Sequence, residues 1–250
     1  MGIHDIVLKQ MIAIHKNLEN VKSRIHTSFA KTIINVDERR FPCLIAVSKT
    51  KSAQAVVEAY QSGQTVFGEN YVQELIEKSN HPLILENCPG IEWHFIGHLQ
   101  SNKTSSLYNN CRNLAMIQTV DSLKLAKKLN NVATSPLKVL VQVNSSNEEN
   151  KSGVDVVEGI SLVRHIIYNC PNLIFSGIMT IGSIASSSDE ITPNPDFVNL
   201  VNCRKNWCEE LNIPVNQMHL SMGMSRDYEH AIEMGSTMVR VGSAIFGERH

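Results

Sequence analysis

Cys43-Leu44-Ile45-Ala46-Val47-Ser48-Lys49 is a short, almost wholly apolar run that stops at a serine and a lysine. Such a run shows neither helical spacing nor polar alternation. It reads as a strand buried on both faces, as a parallel sheet covered by helices requires. The cue repeats seven times: Thr65-Val66-Phe67-Gly68, Trp93-His94-Phe95-Ile96-Gly97, Met116-Ile117-Gln118-Thr119-Val120, 137–143, 173–180, Met218-His219-Leu220 and Thr237-Met238-Val239-Arg240-Val241. Helical patterns fall between them. Ser52 is placed to cap a helix with Ala53, Val56, Val57 and Tyr60 on one face, and Gly63 stops it. Val72, Leu75 and Ile76 belong to the next helix. Asp155, with Glu158 three residues on, makes a capping-box pattern ahead of an expected buried stripe of Val156, Ile160, Val163 and Ile167. Phe197, Leu200, Val201, Arg204, Cys208 and Leu211 also fall at helical spacing, after a Ser- and Pro-rich stretch, 183–195, expected to be a mobile loop. At the other end, Ile3, Val7, Met11, Ile14, Leu18, Val21 and Ile25 recur at three- and four-residue steps, an amphipathic helix.

Strands that alternate with helices form a parallel sheet with helical crossovers, and eight repeats suit a closed barrel. The expected fold is therefore α/β, a single (β/α)8 TIM barrel with an extra N-terminal helix. One domain covers 1–250, the helix in 1–30 and the barrel in 43–250, with no interior linker. An open doubly wound sheet is the alternative, because periodicity does not report closure.

Composition narrows the function. Hydrophobic residues make up 42% of the 250, enough for a sizeable core, and the formal net charge is -1. Without a basic excess, nothing supplies the phosphate-neutralising surface of a nucleic-acid binder. The six cysteines are scattered with no C-x-x-C pair, so neither a zinc site nor any other metal centre is expected. No apolar run approaches a membrane span or a signal peptide. Met1-Gly2 lacks the Ser or Thr of a myristoylation signal, having Ile6 instead. A cytoplasmic protein with reduced thiols is expected; acidic residues near the N-terminus disfavour a transit peptide without excluding a mitochondrial fraction.

In such barrels the chemistry sits where strands end, and phosphate is often held after strands seven and eight. Strand seven leads into Ser221-Met222-Gly223-Met224-Ser225-Arg226-Asp227 and strand eight into Gly242-Ser243-Ala244-Ile245-Phe246-Gly247. Both read as small-residue turns whose amides and hydroxyls can face an anion. Lys49 leaves the first strand at the barrel mouth, where a desolvated amine has a lowered pKa and attacks aldehydes. Lys51, its neighbour, either lowers that pKa by repulsion or is surface. A lysine with phosphate loops fits a sugar-phosphate aldolase or a pyridoxal phosphate site, and spacing alone does not choose. His94 and His98 loosely mimic a metal pair, but no third ligand is evident and ordinary strand-end histidines are expected.

Longer blocks carry a resemblance. Ala46-Val47-Ser48-Lys49-Thr50-Lys51, Phe67-Gly68-Glu69-Asn70-Tyr71-Val72-Gln73-Glu74, the stretch from His94 to Lys103, Ser221-Met222-Gly223-Met224-Ser225 and the stretch from Gly235 to Gly242 closely resemble the pyridoxal phosphate homeostasis protein family. The resemblance runs from about residue 43 to the end, and takes in Asn150-Lys151-Ser152-Gly153 and Gly177-Ile178-Met179. That family is similar to the barrel domain of alanine racemase, a fold-type III pyridoxal phosphate enzyme. The resemblance implies that Lys49 is the Schiff-base lysine. It further implies that Ser225, Gly242 and Ser243 help hold the phosphate, with Ser243 where many relatives have Thr, and that Ser221, Met222 and Gly223 also belong to the cofactor-binding set. Arg240 would face the pyridine nitrogen, opposing its protonation and weakening carbanion chemistry. Asn70 and Met179 would line the site, and Lys103 or Lys151 would be accessory lysines.

Two functions from different classes follow. In one the protein buffers pyridoxal 5′-phosphate and delivers it to apo-enzymes, with no catalytic residue of its own; it is expected to be a monomer, a weak dimer being the alternative. In the other it is an amino-acid racemase. Racemisation needs a base on each face of the α-carbon. In alanine racemase-like enzymes the second base is a tyrosine from a separate β-domain, and none of Tyr60, Tyr71, Tyr108, Tyr168 and Tyr228 is placed by the sequence to replace it. The missing base and Arg240 both favour the carrier.

Overall fold

The computed structural model describes residues 3–32, 39–146, 152–182 and 193–248, with side chains from residue 12 onward. Eight strands are present: β1 (Cys43–Val47), β2 (Val66–Glu69), β3 (Glu92–Phe95), β4 (Leu114–Val120), β5 (Leu137–Gln142), β6 (Leu173–Met179), β7 (His219–Met224) and β8 (Met238–Val241). They pair in parallel in chain order, and β8 closes on β1 from Cys43↔Met238 to Ala46↔Val241. The barrel is closed, and the open sheet is excluded.

Helices fill the crossovers and flank the barrel at both ends of the chain. They are α1 (Ile3–Ala30), α2 (Ala53–Gln61), α3 (Val72–Ser79), α4 (Pro82–Asn87), α5 (Thr104–Asn110), α6 (Leu123–Val132), α7 (Val156–Asn169), α8 (Pro195–Leu211), α9 (Tyr228–Glu233) and α10 (Ser243–Phe246). Ser52 caps α2 by accepting from the Ala55 amide at 3.2 Å. Asp155 caps α7 through the Val157 amide at 2.7 Å.

The helix called extra has a structural office. The helix described after β8, α10, is a single turn and does not span the β8–β1 seam. Helix α1 lies there instead, bonding α10 through Asn17 Nδ2 to the Ile245 carbonyl (3.0 Å) and the end of α9 through Thr32 Oγ1 to the Ile232 carbonyl (2.9 Å). On its other side Lys22 donates to the Gly63 carbonyl beyond α2 at 3.1 Å. Ile14, Leu18, Val21 and Ile25, none more than 4% exposed, form its sealing stripe. It stands where the eighth helix of the barrel would.

Three expectations are corrected. The buried face of α7 is Gly159, Leu162, Val163 and Ile166, while Ile167 is exposed, because α8 lays Trp207 against Gly159 and turns the helix onto that edge. The stretch 183–195 is not loop to its end. Asn194 Oδ1 accepts the Asp196 amide at 2.9 Å and starts α8 at Pro195; residues 183–192, and Lys151, lie outside the described residues. Strand β7 continues past residue 220 to Met224, held by the pairs Ser221↔Met238 and Met224↔Arg240, so Ser221 to Met224 are strand rather than loop.

The apolar core has two parts. The larger lies between barrel and helices; the smaller fills the lumen with Ile45, Met116, Leu140, Met179 and Met238. Alternation along the strands then sets the layer toward the C-terminal ends, where inward positions carry Gln118, Gln142, Ser221 and Arg240, all nearly or fully buried. A dry floor beneath a polar layer positions the site.

Candidate functional site

Lys49 stands two residues beyond β1, partly buried at the C-terminal end of the barrel, where the strand's alternation through Ile45 and Val47 runs out toward the lumen. It sits in a tight turn closed by the Lys51 amide donating to the Ser48 carbonyl at 3.0 Å. Thr50 is left-handed at φ 64°, a conformation that costs a β-branched residue about 1–3 kcal/mol. Glu74 Oε1 accepts the Thr50 amide at 2.6 Å, a charge-assisted bond that offsets it. Lys51 points away, its Nζ donating to the Glu248 carbonyl at 3.0 Å.

On β8, the strand paired with β1 and in register at Ile45↔Arg240, Arg240 is 4% exposed. Its Nη1 donates to Ser221 Oγ at 2.6 Å and its Nη2 to the Thr180 carbonyl at 2.7 Å. Burial pushes the guanidinium down to about 10, which leaves it a cation at neutral pH. Guanidinium can only donate, so Ser221 Oγ accepts from it and spends its own proton on Gln118 Oε1, 2.8 Å away. Gln118 must then turn its amide nitrogen to His94 Nδ1, at 2.9 Å. The chain Arg240–Ser221–Gln118–His94 thus fixes His94 as neutral, with Nδ1 accepting. Burial accordingly holds its pKa down to about 3.

The turns after β7 and β8 are joined by Ser225, whose Oγ accepts the Gly242 amide at 3.1 Å and the Ala244 amide at 3.5 Å. Gly223, near the end of β7, lets α9 pack close: its φ is 94°, and a Cβ there would stand 2.6 Å from Ala231 Cβ and 2.9 Å from Tyr228 Cα. Gly97 does similar service between the exits of β2 and β3, where a Cβ would lie 2.0 Å from the Asn70 carbonyl oxygen. Next to it, Asn70 Oδ1 is buried without a hydrogen-bond partner.

Ser221 and Arg240 are thus joined in the lumen's upper layer, with Lys49 just beyond the adjacent strand β1 and Asn70 just beyond β2. Ser225, Gly242 and Ser243 share the paired turns, Ser243 being exposed. Met179 lies in the apolar lumen floor. Met222 departs from the expectation, since its side chain is fully buried in the outer core against the helices; only its backbone faces the β7 exit. Lys103 is exposed on the 3-10 turn Ser101–Lys103. His98 is exposed and pairs with Asp121 at 3.5 Å rather than with His94. Among the described residues no group of three or more His, Cys, Asp or Glu could hold a metal.

Sequence reading missed Gln118, Thr180 and the cluster beneath Lys49. The signal for Gln118 was a polar residue at an inward position of an apolar strand. The cluster's signal was Lys78, three residues after the fully buried Leu75 and so on the buried face of α3.

The donor set matches a small anionic aldehyde with a ring nitrogen. A lysine at the end of β1, a buried cation held by neutral partners, an orphaned acceptor at Asn70 and two hydroxyl- and amide-bearing turns are the groups such a ligand needs.

Comparison with known proteins gives the class first. The profile described as "Alanine racemase, N-terminal domain" matches residues 13–250. An alanine racemase of Clostridium difficile superposes with a TM-score of 0.66 at 17% identity, over 95% of this chain and 57% of that one, a likeness of fold. Nearer relatives define the group. The mouse pyridoxal phosphate homeostasis protein is 52% identical over 93% of this chain and 85% of its own, and the human one is 54% identical over 83% and 77%. PipY of Synechococcus elongatus, solved with PLP bound, is 29% identical with a TM-score of 0.72, covering 94% of this chain and 100% of that one. The chain belongs to the alanine racemase N-terminal domain family, among its pyridoxal phosphate homeostasis proteins.

Proposed function

We propose that this protein binds pyridoxal 5′-phosphate at Lys49 and serves in the homeostasis of that cofactor, holding it and delivering it to apo-enzymes, as a single-domain, monomeric, cytoplasmic carrier. When bound, the cofactor supplies an aldehyde that condenses with a lysine amine with release of water, together with a ring nitrogen and a phosphate. The observation that carries the reading is the buried Arg240 guanidinium, held by a hydroxyl and a carbonyl, on the strand paired with the one that leads to Lys49.

Each residue then has a task. Lys49 presents the amine. Arg240 places a permanent positive charge against the ring nitrogen, disfavouring a proton there and with it the electron withdrawal that amino-acid chemistry uses. Ser225 ties the two turns so that Gly242 and Ser243 meet the phosphate, and Asn70 offers its unused acceptor. Met179 keeps the floor dry. The described tyrosines support a carrier over a racemase. Tyr71 and Tyr168 are exposed at 55% and 70%, Tyr60 and Tyr108 are bonded to backbone amides, and Tyr228 is buried beside Arg24 in the outer shell.

The test is the visible absorption of the protein with added pyridoxal phosphate, before and after borohydride, with peptide mapping. A reducible band and a pyridoxyl group on Lys49, both lost in Lys49→Ala while the barrel stays folded, are expected. An unchanged adduct in Lys49→Ala would sink the assignment, and turnover of an amino acid by the loaded protein would return the racemase.

A further inference from the structure

A buried ionic cluster lies directly beneath the Lys49 turn, between the barrel and α3. Lys78 is 7% exposed, Glu69 and Ser48 are fully buried, and Glu74 keeps 23% of its side chain in solvent. An ammonium has three protons to give, and Lys78 gives each at 2.7 Å: to the Ser48 carbonyl, to Glu69 Oε1 and to Glu74 Oε1. Every one of these acceptors leads back to the turn. Ser48 donates its hydroxyl to Glu69 Oε1 at 2.7 Å, and Glu74 takes the Thr50 amide at 2.6 Å. The residues before and after Lys49 are therefore both fastened, and through one ammonium. The bonds among Ser48, Glu69 and Lys78 of α3 lie on the helix side of the barrel, so the grip is applied from behind the strand end that leads to Lys49.

Stability does not ask for this arrangement. Apolar residues fill most of the surrounding contact between strands and helices, and a buried ion pair commonly gives no more than they would. Burial raises the Glu69 carboxyl, outweighing the pull of Lys78 and Ser48, and Glu69 Oε2 is left with no partner. What the cluster does supply is a fixed direction for a side chain that leaves a strained turn.

We propose that Lys78 is a positioning residue for Lys49, clamping the turn at Ser48 directly and at Thr50 through Glu74, so that the Lys49 amine is held in its reacting orientation. The proposal rests on Lys49 bearing the covalent adduct.

The experiment uses the full chain with pyridoxal phosphate as the probe. Glu69→Gln/Lys78→Met removes the buried pair together, since removing one member strands a charge. Melting reports the fold, borohydride mapping the adduct's position, absorption titration the affinity, and circular dichroism in the adduct band, per mole of adduct, its orientation. The double variant is expected to fold and to carry its adduct on Lys49. Its affinity should fall on the order of tenfold and its induced dichroism should weaken. Glu74→Ala, at a partly exposed position, should shift both in the same direction by a smaller factor, and it serves if the double variant does not fold. Leu18→Ala, destabilising but remote on α1, should leave the induced dichroism per adduct unchanged. Wild-type affinity and dichroism in a folded double variant, or in Glu74→Ala should the double variant not fold, would overturn the proposal. An adduct that maps elsewhere in the wild-type protein would instead overturn the role of Lys49.

Discussion

His94 ends a hydrogen-bonded chain that begins at Arg240, and its neutrality in the fold has a cost in acid. In the unfolded chain a histidine takes a proton near its ordinary value of 6.5, whereas burial keeps His94 down to about 3. The unfolded state therefore binds the extra proton between these values. Stability is intact above the unfolded value and falls as the pH drops toward the folded one, by about 1.4 kcal/mol per pH unit for one group. His219 adds in the same direction, pushed down to about 4 by burial and then by Arg40. Urea unfolding at several pH values below neutrality should show that slope. His94→Gln should flatten it by about one proton's worth, since glutamine does not titrate; an unchanged slope would remove His94 from the account.

At the scale of elements, the two turns that meet at Ser225 depend on how β7 enters α9. Gly223 combines a left-handed backbone with a space that Ala231 and Tyr228 already fill, so Gly223→Ala should lose about 2–4 kcal/mol. Thermal melting measures it, and a loss below 1 kcal/mol would mean that the turn can relax. Helix α1 can be tested likewise. Leu18 is 1% exposed in the stripe that seals the β8–β1 seam. Leu18→Ala should cost about 2–5 kcal/mol, as a core position does, rather than the fraction of a kcal/mol expected of an appended helix.

For the whole molecule, a ligand bound only by the folded state raises stability by mass action. At a hundredfold excess over its dissociation constant, pyridoxal phosphate should add about 2.7 kcal/mol. In a chain of this length that is a rise of about 5–10 °C in Tm. Lys49→Ala should lose most of the rise and keep what Arg240 and the turns supply, as differential scanning fluorimetry would show. An equal rise in both proteins would place the ligand's main hold elsewhere.

The order of strands and helices was legible in the residues because a buried parallel strand must be apolar on both faces and short. That pattern needs no partner to be read. Family blocks likewise carried Lys49, Arg240 and the paired turns. Closure of the barrel, the place of α1 over its seam and the inward or outward aim of each residue around 221–223 were decided by tertiary structure. Ser221 and Met222 are neighbours in sequence, yet one bonds Arg240 and the other packs under the helices, because the extension of β7 by pairing with β8 fixes which faces the lumen. The same holds for Lys78. Its spacing from Leu75 puts it on the buried face of α3, but the sequence names none of its partners; it became the partner of Ser48 and two carboxylates only when α3 folded back onto β1 and β2. Sequence determines which segments can be buried, and only the packing of those segments brings together polar groups from separate strands and helices, since hydrogen bonds of fixed length depend on where the backbones finally lie.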